Sequence, residues 1–196
     1  MPELPEVETT LRGIKPHIIG RKITEVNVRN KNLRWPVSRK VYSLTGSKFS
    51  RIKRRGKYIL IDVNDGILII HLGMSGSLRI VKYDQEFRKH DHIDIKMDSG
   101  KSLRYHDPRR FGCFLFHSGD INNHKLLKHL GPEPLCEEFS GEYLHSKSKN
   151  RIVLLGAAYK PDIDDLRESP ALRIAAYVLR NAGNDVVIVE PNVNEK

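Results

Sequence analysis

The sequence predicts an α+β fold: an antiparallel β-sandwich with a flanking N-terminal helix, followed by a small β-α-β unit that is half of a Rossmann-like sheet. Three observations lead to this prediction. Apolar residues near the N-terminus recur with helical spacing, short apolar runs before residue 118 end in tight-turn residues, and the composition changes abruptly at residues 147–150. We therefore expect two domains, residues 1–148 and residues 149–196.

The first helix is indicated by apolar residues that recur every three or four positions. Pro5 lies where the first turn of a helix tolerates proline. Gly13 and Pro16 weaken the later part of the pattern, so we expect the helix to bend or end near them. The apolar positions are Val7, Leu11, Ile14 and Ile18.

The strands are indicated by short apolar runs that end in turn residues. Residues 58–63 and 67–72 are two such runs, and Asn64-Asp65-Gly66 between them predicts a tight hairpin. A second hairpin is expected from residues 92–95 to residues 103–105. Further strands are expected at residues 26–28 and 111–117, and short helices at residues 121–130 and 137–147.

The second domain has the pattern of a parallel strand-helix-strand unit. Residues 151–155 form a buried-strand run, Ser169-Pro170 has the residue types that begin a helix, Gly183 ends that helix, and residues 185–189 form a second strand. One helix covers only one face of such a sheet, so the unit is expected to be marginally stable alone. The predicted apolar face of the helix consists of Leu172, Ala175, Ala176 and Leu179.

The net positive charge of the chain is confined to the first domain. Residues 149–196 carry seven basic and seven acidic side chains, so the whole formal net charge of +10 belongs to residues 1–148. A basic domain of this kind either binds a polyanion, most often nucleic acid, or only presents a solvated surface. Composition alone leaves both alternatives open.

Several classes of protein are disfavoured by the same composition. Every apolar run is far shorter than a membrane span and the N-terminus is acidic, so neither a membrane helix nor a secretory signal is expected, and the chain is expected to be cytoplasmic. Cys113 and Cys136 are too few for a disulfide framework or a structural zinc site and are expected to be buried free thiols. No metal or other cofactor is expected.

Pro2 is the candidate for chemistry at the N-terminus. Initiator methionine is commonly removed before proline, which leaves Pro2 with a free secondary amine. An N-terminal amine has an ordinary pKa of about 7.7–8.0, so part of it is neutral near neutral pH, and a secondary amine gives an iminium ion with a carbonyl carbon. Glu3 and Glu6 are near enough in sequence to move protons. Alternatively, these residues only start the helix, with both glutamates at the positive end of its dipole.

Three further segments carry side chains suited to nucleic acid. Lys57 follows a basic run and begins an apolar strand. There it either holds a phosphate or assists proton transfer, or, alternatively, only belongs to a solvated basic surface. Met74 lies at the tip of a Gly-Ser turn, where it is either core filler or a projecting wedge. Arg109, Arg110 and Phe111 form a turn after a strand. Beside Met74, they match the set of side chains that enters a base stack when a nucleotide is extruded.

Together these residues resemble the formamidopyrimidine-DNA glycosylase family over residues 2–148. The resemblance lies in several motifs in family order, among them Asp107-Pro108-Arg109-Arg110-Phe111-Gly112 and His71-Leu72-Gly73-Met74-Ser75-Gly76. The other motifs are residues 2–9, 55–58, 89–92 and 130–134. The resemblance implies a bifunctional enzyme that excises oxidised purines such as 8-oxoguanine and formamidopyrimidines from double-stranded DNA and then cuts the strand by β,δ-elimination.

The resemblance also implies a role for each candidate residue. Pro2 attacks the anomeric carbon of the lesion nucleotide, Glu3 is the acid-base partner for opening the sugar ring, and Glu6 organises the site. Lys57 is the catalytic or phosphate-binding lysine of a β-hairpin. Met74, Arg109 and Phe111 fill the space that the flipped base leaves, and Arg109 also contacts the orphaned cytosine. Arg110 and His90 are the other DNA-facing residues, and His90 contacts phosphate.

The sequence departs from the family after residue 148. The helix-two-turn-helix domain and the four-cysteine zinc finger of the family are not found in it, so the family zinc site is expected to be absent and the binding of DNA to be weakened. Residues 149–196 instead carry the motifs 151–156, 158–161, 164–170 and 189–191, by which they resemble part of the UDP-binding C-terminal domain of nucleotide-sugar dehydrogenases. There Lys160 and Arg167 would contact a pyrophosphate, or Arg167 would pair with a neighbouring aspartate.

Three hypotheses for function follow from these patterns. The first is a DNA-repair glycosylase and lyase of the cytoplasm, associated with the nucleoid, that acts as a monomer on DNA with oxidised bases or abasic sites. The second is a DNA-binding remnant without turnover. The third is a module that binds a UDP-sugar weakly through the tail.

Overall fold

The computed structural model describes residues 2–147, 151–155, 170–181 and 185–189. It divides the chain into two compact units, residues 1–131 and residues 132–196. Residues 148–150 lie outside the described residues, so the predicted domain boundary after Ser148 stays a prediction.

The first unit is an α+β sandwich, as predicted. Helix α1 (Leu4–Ile18) precedes eight strands that form two four-stranded antiparallel sheets, ordered β1-β6-β7-β5 and β2-β3-β4-β8. Short 3-10 helices cover Arg39–Ser43 and Ile121–Asn123. The strands are β1 (Ile23–Val28), β2 (Phe49–Arg55), β3 (Tyr58–Val63), β4 (Gly66–His71), β5 (Ser77–Lys82), β6 (Asp91–Met97), β7 (Lys101–His106) and β8 (Cys113–His117).

Both predicted hairpins are confirmed. The β3–β4 hairpin pairs Tyr58 with His71 and Val63 with Gly66, which leaves Asn64 and Asp65 as its two-residue turn. The β6–β7 hairpin turns at Gly100, whose φ of 73° lies in the left-handed region that glycine adopts without strain. Strands β2 and β5 lie at sheet edges. Because β5 has few fully buried residues, its sequence lacks the apolar run that indicates a strand.

Helix α1 closes one side of the sandwich. Its four predicted apolar positions are all buried, in a core cluster that includes residues of both sheets. The helix continues through Gly13 and ends at Ile18, two residues after Pro16, which agrees with the predicted end near Pro16. Pro16 lies in the last turn, where it removes a single backbone hydrogen bond, and the full burial of Ile18 offsets that loss.

The helix predicted for residues 121–130 is mostly wrong. Only Ile121–Asn123 is a 3-10 helix, which begins where Asp120 accepts a hydrogen bond from the backbone N–H of Asn122, and the chain continues as successive turns. In the second unit, the helix predicted for residues 137–147 is α2 (Gly141–Lys147). It begins later because the Ser140 hydroxyl accepts from the backbone N–H of Tyr143, as an N-cap does.

The rest of the second unit is the predicted parallel unit. Strand β9 (Arg151–Leu155) pairs in parallel with β10 (Asp185–Val189), and helix α3 (Pro170–Asn181) lies between them in sequence. Within α3, Ala175 is buried and Ala176 is half-buried, but Leu179 is 54% exposed, so its predicted place on the buried face is wrong. A two-stranded sheet covers only a narrow strip of a helix. Ser169 and Gly183 lie outside the described residues. None of the helices in the described ranges is long and apolar enough to cross a membrane.

Candidate active site and nucleic-acid interface

The N-terminal end of α1 holds three of the predicted catalytic residues. Glu3 is the N-cap of the helix, and its backbone N–H donates a hydrogen bond of 2.9 Å to Oε2 of Glu6. Glu6 therefore fixes the main chain at Glu3, immediately after the partly buried Pro2. This contact is consistent with the organising role that the resemblance implies for Glu6.

Lys57 lies against this helix end. Its Nζ is 2.5 Å from Oε2 of Glu3, although the two residues are far apart in sequence. The prediction that Lys57 begins a strand is wrong, because Gly56 and Lys57 form the two-residue turn between β2 and β3. Gly56 has a φ of 54°, which is the backbone conformation that this tight turn requires. The turn thus brings a cation and a carboxylate together beside Pro2.

A second ion pair fixes the same turn to α1. Arg54 donates to Oε2 of Glu8 at 3.1 Å and to the backbone carbonyl of Gly56 at 2.9 Å. Hydrogen bonds from Arg12 and then from Arg54 lower the pKa of Glu8. The Arg54 side chain therefore connects the turn that carries Lys57 to the helix.

His71 connects this cluster to a groove. Its ring lies 4.8 Å from the ring of Tyr58, and its Nδ1 accepts a hydrogen bond of 2.9 Å from the backbone N–H of Gly73. Burial, with Arg34 and Lys57 nearby, lowers the pKa of His71. Because Nδ1 accepts this hydrogen bond, the neutral form of the ring carries its proton on Nε2, which makes it a hydrogen-bond donor beside the groove. Its motif is visible in the sequence, but its protonation state depends on contacts that the sequence does not show.

The groove has a volume of about 740 Å³ and is lined by four of the five predicted DNA-facing residues. Met74 is 41% exposed and Phe111 is 45% exposed, so both side chains project from their turns. The guanidinium of Arg109 lies 4.9 Å from the centre of the Phe111 ring. Other residues that line the groove are Asn32, Leu33, Arg34, His71, Gly73 and Arg110.

The two turns that carry these side chains pack directly on each other. A Cβ atom added to Gly73 would lie 2.5 Å from the backbone nitrogen of Gly112, and one added to Gly112 would overlap the Tyr105 hydroxyl. Only glycine at both positions allows the turns to approach this closely. The glycines of both motifs therefore set how near Met74 lies to Phe111.

His90 lies in a separate basic pocket of about 330 Å³, which Arg110 lines together with Lys89 and Arg29. Arg110 also lines the groove, so it connects the two cavities. The loop before His90 is fixed by Arg104, which is almost fully buried and donates to the backbone carbonyls of residues 85 and 86. The pocket therefore combines several basic side chains with a loop whose backbone is fixed by hydrogen bonds.

Asn32 and Arg34 are groove residues that the sequence reasoning did not single out. The backbone N–H of Arg34 donates to the carbonyl of Gly112, and its guanidinium stacks 4.7 Å from the centre of the Trp35 ring. An arginine next to the single tryptophan of the chain was the available signal.

The remaining predicted residues have different outcomes. Cys113 is buried, and burial raises the pKa of its thiol to about 12, but Cys136 is only partly buried because it lies in a turn. In the described ranges no group of three or more histidine, cysteine or acidic residues is arranged to hold a metal ion. Lys160 and Arg167 lie outside the described residues, so their roles stay predictions.

Two family models match this chain. Residues 1–114 match the formamidopyrimidine-DNA glycosylase N-terminal domain, and residues 153–196 match the UDP-binding domain of the UDP-glucose/GDP-mannose dehydrogenase family. The second match supports the predicted resemblance of the tail.

Individual proteins agree with the first match. The formamidopyrimidine-DNA glycosylase of Alcanivorax borkumensis is 56% identical over 153 residues, which are 78% of this chain and 56% of that protein. The enzyme of the same name from Salmonella arizonae is 54% identical over 151 residues, which are 77% of this chain and 56% of that protein. The chain therefore spans somewhat more than half the length of the curated relatives it matches.

Solved structures show the same similarity. The complex of Lactococcus lactis Fpg with DNA containing an abasic site has a TM-score of 0.68 at 34% identity and covers 76% of this chain and 56% of that one. The complex of MutM with DNA containing carbocyclic 8-oxo-G has a TM-score of 0.68 at 35% identity, with the same coverage. Because the glycosylase model matches more than half of the residues, the chain belongs to the formamidopyrimidine-DNA glycosylase family.

Proposed function

We propose that this chain is a DNA glycosylase with AP lyase activity, which removes oxidised purines from double-stranded DNA and cuts the strand at the abasic site. The observation that carries the proposal is the 2.5 Å contact between Lys57 Nζ and Glu3 Oε2. It puts an acid and a cation beside Pro2, where an amine nucleophile requires both. A DNA substrate implies that the protein works at the nucleoid, in the cytoplasm.

The proposed reaction begins at the Pro2 nitrogen. Its lone pair attacks C1′ of the damaged nucleotide, and the bond between C1′ and the base breaks, with the electron pair leaving on the base. The proton that the Pro2 nitrogen loses after forming the new bond passes to the departing base. The bond from C1′ to the ring oxygen then opens, Glu3 delivers a proton to that oxygen, and an iminium ion forms between C1′ and Pro2. Loss of a proton from C2′ expels the 3′ phosphate, and a second elimination expels the 5′ phosphate.

The groove supplies the proposed DNA contacts. Met74 and Phe111 are exposed apolar side chains of a size that fills the space of an extruded nucleotide, and Arg109 beside them has donors for an unpaired base. Arg110 and His90 line the basic pocket next to the groove, where a phosphate would be bound. The solved relatives hold DNA with an abasic site and DNA with an 8-oxo-G analogue, which supports these two substrates for this chain.

Borohydride trapping on duplex DNA with one abasic site tests the proposal. Hydride reduces the iminium ion to a stable amine, so a chain that has lost Met1 should form a covalent adduct with the DNA. The matched control is the same chain with Met1 retained, in which the Pro2 nitrogen is an amide and cannot react. Adduct formation by the shortened chain alone supports the proposal. Duplex binding without any adduct overturns it in favour of a DNA-binding protein without turnover.

A second candidate function is nucleotide binding by residues 153–196. It is favoured by the match of these residues to a UDP-binding domain and by the parallel pairing of β9 with β10. We propose Lys160 and Arg167 as the pyrophosphate contacts. Titration of the intact chain with UDP should give saturable binding that Arg167→Ala weakens, and the absence of saturation would exclude this function.

A further inference from the structure

Asp107 is a fully buried carboxylate that contacts every turn carrying a proposed DNA-facing residue. It belongs to none of the catalytic groups described above. In the described part of the chain it has no ion-pair partner, and its charge is balanced only by neutral hydrogen-bond donors. Burying a carboxylate in this way is costly unless several donors are directed at it.

The two carboxylate oxygens contact different turns. Oδ1 accepts a hydrogen bond of 2.9 Å from the hydroxyl of Ser75, which follows Met74. Oδ2 accepts one of 2.9 Å from the backbone N–H of Gly112, which follows Phe111, and one of 3.3 Å from the Tyr105 hydroxyl. A single side chain therefore fixes the separation of the two turns.

The same connection reaches Arg109 and His90. The Ser75 hydroxyl oxygen accepts from the backbone N–H of Arg109 at 3.3 Å. The backbone N–H of Asp107 donates to the carbonyl of His90 at 3.1 Å, and its carbonyl accepts from Arg110 N–H at 3.2 Å. The groove and the basic pocket are thus joined through one residue.

We propose that Asp107 is the positioning residue for insertion into DNA: its carboxylate holds Met74, Arg109 and Phe111 in the one relative arrangement that fits the space left by an extruded nucleotide. This inference rests on the proposed function. A wedge acts only in a stack of paired bases, whereas contacts to the phosphates of a flexible single strand do not need a fixed arrangement of the turns. Loss of Asp107 should therefore weaken duplex binding selectively.

The test compares the affinity of the full chain for a duplex with a stable abasic-site analogue and for the same strand unpaired. Fluorescence anisotropy is measured at a temperature where circular dichroism shows each variant to be folded. We expect Asp107→Ala to weaken duplex binding by about tenfold or more and single-strand binding by less than about twofold. Asp107→Asn keeps one acceptor and one donor and should recover part of the duplex affinity.

Asp62→Asn is the matched control. Asp62 is a partly buried carboxylate of β3 whose Oδ1 has no hydrogen-bond partner in the described part of the chain, and its substitution should change neither affinity. Equal weakening of duplex and single strand by Asp107→Ala, or none, would overturn the inference. If Asp107→Ala does not fold, Ser75→Ala tests the inference instead. We expect Ser75→Ala to bind the duplex about threefold more weakly than the wild type, and unchanged binding would overturn the inference. A wild-type chain that binds no DNA would instead refute the proposed function.

Discussion

Replacing Arg110 by glycine should change stability and DNA binding in opposite directions. Arg110 has a φ of 58°, in the left-handed region that costs a residue with a Cβ about 1–2 kcal/mol. Glycine avoids this cost but gives the unfolded chain more conformational entropy, worth about 0.4–1 kcal/mol. Arg110→Gly should therefore raise the free energy of unfolding by between about 0 and 1.5 kcal/mol, as measured by urea denaturation.

The same substitution removes a cation that lines both the groove and the basic pocket. Each phosphate that a protein neutralises adds about 0.9 to the slope of log affinity against log salt concentration. Arg110→Gly should thus lower the magnitude of that slope by about 0.9, in anisotropy titrations of an abasic-analogue duplex between about 50 and 200 mM salt.

Arg110→Lys is the matched variant, because it keeps both the charge and the left-handed backbone. It should retain the wild-type salt slope and lie within about 0.5 kcal/mol of wild-type stability. If Arg110→Gly destabilises the protein, the backbone at this position is not strained. If it leaves the salt slope unchanged, Arg110 does not contact phosphate, and the assignment of the basic pocket is wrong.

Three further predictions concern the catalytic end of the groove. Gly112→Ala should lower the free energy of unfolding in urea by more than about 3 kcal/mol, because the new Cβ overlaps the Tyr105 hydroxyl. A stability near that of the wild type would contradict the close packing of the two turns. Burial lowers the pKa of His71, so the folded state favours the neutral imidazole. The stability that this neutral imidazole contributes is complete above the ordinary histidine pKa of about 6.5 and is lost as the pH falls below that value. His71→Asn should therefore flatten the decline of the melting temperature between about pH 7 and pH 5, and an unchanged decline would show that His71 is not neutral in the folded state. Lys57→Met removes the ion pair with the exposed Glu3, so the free energy of unfolding should change by less than about 0.5 kcal/mol. The rate at which borohydride traps the adduct with abasic-site DNA should fall about tenfold or more, and a wild-type rate would exclude a catalytic role for Lys57.

Local patterns in the sequence were sufficient to predict much of the fold. The spacing of Val7, Leu11, Ile14 and Ile18 gave the buried face of α1, since a helix repeats every 3.6 residues whatever it packs against. The hairpin from β3 to β4 followed from the turn residues between two apolar runs. The exposure of Met74 followed from the glycines beside it, which form a turn rather than core.

Contacts between distant residues account for what the sequence could not show. Asp107 and Ser75 are 32 positions apart, and the hydrogen bond between them depends on how the strands before each turn pair. The contact of Lys57 with Glu3 likewise depends on α1 lying against the β2–β3 hairpin.

The proposed reaction depends most on which amine is the nucleophile, and among the described residues Pro2 and Lys57 carry amines next to Glu3. Peptide mapping of the borohydride-trapped adduct by mass spectrometry distinguishes them directly. We expect the deoxyribose remnant to be attached to the N-terminal peptide, at the Pro2 nitrogen. A remnant on the peptide that contains Lys57, with the N-terminal peptide unmodified, would contradict this expectation.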